Sequence, residues 1–345
     1  NWIRTPLLLM AIVEAAILYS SLYVAGTIVY GSVAECEKFM GSVAFKSSLL
    51  TALSLVALIA MGLYQFHQRF YYREAVLRVV VALMAAFVAA AVIFYAFPAA
   101  AIDRGEAWLL DNLTRVRRPN PVELYNTWAH AYSLEALLKL LEYRADDKAK
   151  RKRIRELIDQ QIEMLERYEV VDGGWAYYDF NAHTRKPSGS SISFVSATVL
   201  LAFHAAREAG FDVPDRLVER ALDSIRRQRI PDYSYAYGEY LKMRPRYPIN
   251  RPSGSSGRSQ VCNLAMRVWG DETVTDDVIK TWLNRLFARN LWLDIGRKRP
   301  IPYESWAQVA GYFFYFGHYY AARSIDELPA ESRGPFQDHL AQVLL

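Results

Sequence analysis

A small set of carboxylates and aromatic rings carries whatever chemistry this sequence offers. Asp179, Asp232, Glu239 and Glu304 stand at turns or at the starts of apolar runs, beside Trp175, Tyr177 and Tyr178, beside Tyr233, Tyr235 and Tyr237, and beside Trp306. Two carboxylates held about 5 to 10 Å apart across an open cavity can serve as acid and base in glycoside cleavage. Flat rings stack on sugar faces or line the path of an apolar chain. The same residue types also have structural duties: acids near helix starts accept from free backbone N–H groups, and turn aromatics seal helix ends. The acids are therefore candidates for catalysis and the rings candidates for ligand binding. Neither a metal nor another cofactor is expected.

The elements that must position these residues are helices. Pro187-Ser188-Gly189-Ser190-Ser191 recurs as Pro252-Ser253-Gly254-Ser255-Ser256, and Asp172-Gly173-Gly174-Trp175 has a counterpart in the aromatic turn Pro231 to Tyr237. Between the copies, Ser193–Ala209 is apolar and Pro214–Gln228 amphipathic, which predicts a helical hairpin closed by Gly210. Ala131, Leu134, Leu137, Leu138 and Leu141 form one helical stripe; Ile154, Leu157, Ile158, Ile162 and Leu165 form another. They predict a first pair over Val122–Glu142 and Lys148–Tyr168. A third follows over Ser259–Trp269 and Thr275–Phe287. A fourth opens near Glu304, continues to Arg323, and its partner runs from Pro335 to Leu345. Units of roughly 50 to 65 residues, each one hairpin, bury little alone and must stack. The first helix of each pair is the more apolar, so a ring with inner helices around a central cavity is expected.

The front of the chain is different. Pro6–Tyr30, Ser47–Gln65 and Val76–Phe97 are apolar runs of about 20 residues or more, enough to cross a bilayer core. Arg4, Arg69 and Arg73 fall on one side of these runs, which places them in the cytoplasm and the helical domain outside. The expected location is a bacterial-type inner membrane, multi-pass, with the domain extracytoplasmic. The domains are then a membrane anchor at 1–102, a linker at 103–121 and the helical-hairpin domain at 122–345. The 345 residues are 52% hydrophobic with a net charge of +5. The basic cluster Lys148 and Lys150 to Arg153 lies on a helix face without a nucleic-acid motif, so membrane lipid and no nucleic acid is expected as partner. Cys36 and Cys262, far apart, imply no disulfide framework. The first residue is Asn1 rather than Met, and the sequence is expected to be a piece, or joined pieces, of a longer protein.

Two families enter on these residues. Leu157 to Asp179, with Gln161 and Asp172-Gly173-Gly174-Trp175, resembles the Gln/Trp repeat of the terpene cyclase and prenyltransferase (squalene-hopene cyclase-like) α/α-toroid superfamily. Thr198 to Gly210, Val213-Pro214 and Ala221 to Gln228 resemble the same unit again. The likeness covers about Asn126 to Leu345. It implies an all-α fold, transmembrane helices followed by an incomplete α/α-toroid, and a cavity for an isoprenoid. The cyclases' Asp-x-Asp-Asp motif is not met, because Arg144 and Val274 stand before Asp146-Asp147 and Asp276-Asp277 where an Asp belongs. The zinc-holding members use Asp, Cys and His, so the resemblance offers Cys262 and His318 as two ligands, but Gln260 replaces the Asp expected before Cys262 and two donors fall short of a zinc set. Arg4 to Leu9, Gly62-Leu63-Tyr64 and Phe94 to Pro98 resemble the transmembrane front of polyprenyl-phosphate sugar-phosphotransferases, whose catalytic part is absent. The expected function is a membrane-anchored toroid that binds a lipid, isoprenoid or glycan, or scaffolds a membrane complex with other subunits. The alternative is an enzyme acting on a polyprenyl-linked or polysaccharide substrate at the membrane.

Overall fold

The helical periodicities are realised. In the computed structural model, which describes residues 5–40, 42–60, 77–86, 98–179, 186–244, 246–298 and 310–345, every regular element is a helix. Extended pairing among these residues is confined to isolated bridges such as Glu123 with Tyr178 and Ile192 with Gly238. The chain is all-α and divides into two units, Asn1–Asp111 and Asn112–Leu345.

The first unit holds α1 (Thr5–Tyr30), α2 (Val33–Met40), α3 (Val43–Ala60), α4 (Leu77–Ala86) and α5 (Pro98–Asn112). The α1 and α3 helices pack together, and both are long and apolar enough to cross a membrane. On α1, Ile12, Val13, Ile17, Val24 and Ile28 are exposed, a face that water would not favour and lipid would. The buried stripe of α3 is Val43, Ser47, Thr51, Ser54 and Leu58. Small and hydroxyl-bearing residues of this kind let membrane helices approach closely. The second apolar run is helical to Ala60 and the third over Leu77–Ala86; the rest of each, to Gln65 and to Phe97, lies outside the described residues. The expected linker at 103–121 is shorter than its composition suggests. Its first ten residues continue α5, where Leu109 and Leu110 favour helix, and the irregular stretch begins after the 3-10 turn Leu113–Arg115.

The second unit is a set of helix pairs. Its pairs are α6 (Asn126–Tyr143) with α7 (Lys148–Arg167), α8 (Ser193–Glu208) with α9 (Asp215–Gln228), and α10 (Pro252–Val268) with α11 (Asp276–Ala288). A short α12 (Asn290–Lys298) precedes the pair α13 (Tyr312–Asp326) and α14 (Ala330–Leu344). Asp147 caps α7 by accepting from the Lys150 amide at 3.0 Å, and Thr275 caps α11. On α7 the buried face carries Ile154, Leu157, Ile158, Ile162 and Leu165. At roughly 2 kcal/mol each, their burial is worth about 10 kcal/mol at most, far above what helix propensity supplies.

Neighbour order among the first helices is α6–α8–α10–α13. The α13 helix then returns to α6: Phe316 meets Trp128 edge-on at 6.0 Å, Tyr320 lies 3.4 Å from the Tyr132 hydroxyl, and Arg323 donates to Glu135 at 2.8 Å. The contacts step along both helices in the same direction, so α6 and α13 are parallel. Midway between their ends a layer of side chains packs: Phe194 sits 5.1 Å from Phe313 and 5.5 Å from Phe316, and Tyr320 reaches the Thr198 hydroxyl at 3.3 Å. The space that the sequence leads one to expect as a single central cavity is interrupted by this layer of aromatic side chains from α8 and α13.

The repeated Pro-Ser-Gly-Ser-Ser segment does not repeat in structure. Pro187–Ser191 is irregular chain ahead of α8, whereas Pro252–Ser256 is the first turn of α10, begun by proline at its first position. The turn motif does repeat. Val170 donates to Gly174 and Gly173 to Val170; one unit later Ile230 donates to Ser234 and Tyr233 to Ile230. Gly173 has φ of 92°, and its counterpart Tyr233 has φ of 62°, a left-handed tyrosine where the first copy uses glycine.

Candidate functional site

Tyr125 ends the segment before α6, and Trp128 and Tyr132 follow one and two turns into it. Tyr312 and Phe316 hold matching places at the start of α13, and the Gly-Gly turn delivers Tyr177 between them. Together these six rings line a cavity of about 330 Å³ at the N-terminal ends of the first helices. Tyr125 stacks on Tyr177 with centroids 5.3 Å apart, Trp128 stacks on Tyr132 at 5.8 Å, and Phe194 backs Trp128 at 5.7 Å. Tyr125 and Tyr178 share a hydroxyl hydrogen bond of 2.9 Å at the rim. Burial, then the Tyr125 hydroxyl, pushes Tyr178 up to about 12, so it stays a neutral phenol. Among the described residues, the walls offer ring faces and phenol groups and carry no carboxylate, lysine or arginine.

A second cavity, of about 500 Å³, lies farther along the same helices toward their C-terminal ends, lined by Glu135, Lys139, Glu142, His204, Glu208 and Arg323 among others. Its charges are mixed. The Tyr132–Tyr320–Thr198 layer stands between the two.

The carboxylates expected to catalyse are otherwise engaged. Asp179 is buried; it accepts from Arg118 at 3.1 Å and from the amide and hydroxyl of Ser188 at 3.2 and 3.1 Å. Asp232 accepts from the Ser234 amide and hydroxyl and from Arg285 at 2.9 Å. Burial pushes its carboxyl up, but those bonds outweigh burial and hold it below the ordinary carboxylate range. Glu239 is bound by the Arg227 guanidinium at 3.0 Å. Each acid thus has its own arginine, none lines either cavity, and all fix turns. Glu304 and Trp306 lie outside the described residues.

The expected binding rings divide. Trp175 and Tyr235 are fully buried and are core residues, not ligand contacts: the Trp175 indole donates to Leu165 at 2.7 Å and the Tyr235 hydroxyl to Asn263 at 3.1 Å. Tyr233 lies under Arg229 at 5.3 Å, away from the cavity lining. Tyr177 lines the cavity, and Tyr178 and Tyr237 abut it, Tyr237 6.3 Å from the Tyr177 ring. Tyr125, Trp128, Tyr132, Tyr312 and Phe316 were not singled out by sequence. The signal was there: Tyr125, Trp128 and Tyr132 fall on one helix face, as do Tyr312, Phe316 and Tyr320.

The metal candidates are packed. Burial raises the Cys262 thiol to about 12, so it is not a thiolate. His318 donates from Nδ1 to Phe314, and burial holds it below the usual histidine value. Gln260 donates to the Ser256 and Trp282 carbonyls, and Gln161 Oε1 lies 2.7 Å from His130 Nδ1. Among the described residues, no cluster of three or more His, Cys, Asp or Glu could hold a metal ion. No family model matches the chain, and no curated protein matches it.

Proposed function

We propose that this is a membrane-anchored protein of the α/α-toroid type whose aromatic cavity binds an apolar chain, an isoprenoid or lipid tail, without transforming it. The observation that carries the reading is the cavity wall, whose described residues are six rings without a charged side chain. Apolar chains bind through area and ring contact. A glycan would need convergent donors and acceptors, and here it would meet chiefly ring faces. About 330 Å³ lies at the lower end of small-molecule sites, suited to a short chain rather than to a long polyene folded for cyclisation. The neighbour order of the helix pairs supports the toroid reading, and the two membrane-length helices support the anchor. The enzymatic alternative finds no support in Asp179, Asp232 or Glu239, each tied to an arginine.

The test is thermal unfolding of the full chain in detergent with farnesol or a soluble oligosaccharide. Binding to the folded state raises Tm by mass action. Farnesol is expected to raise it, and Trp128→Ala to weaken binding by at least tenfold, about 1.4 kcal/mol, as central aromatic contacts do. A shift with the oligosaccharide alone, or a farnesol shift unchanged in the variant, sinks the reading.

A further inference from the structure

The loop between the aromatic turn and α10 is basic, apolar at its tips and held from within. From Tyr240 to Gly270 the chain has no acidic residue, while Lys242, Arg244, Arg246 and Arg251 crowd its first part. Lys242, Arg244 and Arg246 are exposed. Interleaved with them are Tyr240, 56% exposed, Met243, 89% exposed, and Tyr247, 45% exposed. A loose loop could present such residues by chance, but this one is built. Arg258, fully buried, donates to the carbonyls of Tyr235, Gly254 and Ile249 and to Asn250 Oδ1. Asn250, also buried, accepts from the Tyr237 amide and donates to the Leu241 and Arg244 carbonyls at 2.9 and 3.2 Å. Burying a guanidinium is expensive without a purpose for its donors. Here those donors fix the backbone that projects Met243 and the cations.

We infer that this loop is a docking surface for anionic lipid, with Lys242, Arg244 and Arg246 on the headgroup phosphates and Tyr240, Met243 and Tyr247 in the boundary between headgroups and acyl chains. Exposed cations interleaved with aromatic and apolar tips match that boundary, where charge and greasy surface are met within a few ångströms. Nucleic acid would use the cations and leave Met243 without a partner. The loop adjoins the aromatic cavity, since Tyr237, at its root, packs on the cavity residue Tyr177. Docking therefore brings that end of the unit to the lipid. The inference rests on the membrane attachment proposed above, but not on the cavity's ligand.

The experiment uses the full chain in nanodiscs of phosphatidylcholine, with or without phosphatidylglycerol. Met243→Cys carries an environment-sensitive dye, while the buried Cys36 and Cys262 stay unreacted. Glu219→Cys, exposed on α9, is the control site. The dye at 243 is expected to be shielded from an aqueous quencher in anionic discs and released by high salt, with the control accessible in both. Each exposed cation near an anionic surface is worth about fivefold, so Lys242→Glu, Arg244→Glu and Arg246→Glu together should weaken docking by at least a hundredfold. Equal accessibility in neutral and anionic discs overturns the inference, as does equal shielding in both, or release of the dye by a DNA duplex at physiological salt. A chain that travels with neither disc on gel filtration overturns the membrane attachment as well, which separates the two failures.

Discussion

Glu169 is buried among cations: Arg220 donates at 2.6 Å, Arg216 at 3.1 Å and Lys186 at 3.1 Å. Burial alone raises a carboxyl, but the bonds and charges of Arg220 and Lys186 outweigh it, and the group sits below its ordinary value. A carboxyl depressed in the fold contributes stability above its unfolded value, near 4.3, and loses it as pH falls through the folded value. Glu169→Gln is therefore expected to lower unfolding stability at pH 7 by about 3 kcal/mol, because it strips one side of a buried ion cluster. Denaturant unfolding should show the gap to wild type closing below about pH 4; a gap that does not vary with pH refutes the assignment. At this scale the sequence was half legible. The Gly-Gly-Trp turn was readable as a structural joint, since glycine before a large ring announces a left-handed backbone and a buried side chain. Which tyrosines face a cavity was not readable, because Tyr177 and Tyr237 hold matching places in the two turns and only what packs around them puts Tyr177 in the lining.

At the scale of helices, α10 and α13 approach closely through a pair of glycines. A Cβ on Gly317 would stand 2.8 Å from the Gly257 Cα, and one on Gly257 would stand 3.1 Å from the Phe313 carbonyl. Neither backbone can retreat without disturbing Phe313 and Phe316, so Gly317→Ala should cost about 1 to 3 kcal/mol by overpacking. Gly334→Ala on α14, where a Cβ meets open space, should be neutral or mildly stabilising. Equal effects of the two on Tm would contradict this packing. Helix positions were largely legible from apolar spacing: α7, α8, α9 and α11 begin and end within a residue or two of the reading. The misses have local causes. Pro252 starts α10 earlier than its apolar run does. Ala330 opens α14 before Pro335, which the helix accommodates in its second turn. The α12 helix escaped notice because it is short and follows α11 without a glycine or proline between them.

For the second unit taken whole, the return of α13 to α6 distinguishes it from an open solenoid. In a solenoid, removing the last pair forfeits that pair and one interface, and the rest stands. Here, deleting 310–345 uncovers Trp128, Tyr132 and Phe194 and leaves Glu135 without Arg323. The truncated chain is expected to lose cooperative unfolding, with far-ultraviolet circular dichroism falling by much more than the share of α13 and α14. A proportionate loss with a sharp transition would mean the return contacts are incidental. The packed layer between the two cavities was not legible in sequence: an apolar inner face is equally compatible with an open interior and a packed one, and the spacing of the helices decides which. The contacts that close the set join residues 188 apart in the chain. During synthesis, then, α6 and α8 emerge and pair with their hairpin partners long before α13 leaves the ribosome. Loop entropy makes that late joining slow, and until it happens a strip of tryptophan, tyrosine and phenylalanine lies uncovered. The nascent chain has a long interval in which its stickiest surface is a target for chaperones or for aggregation.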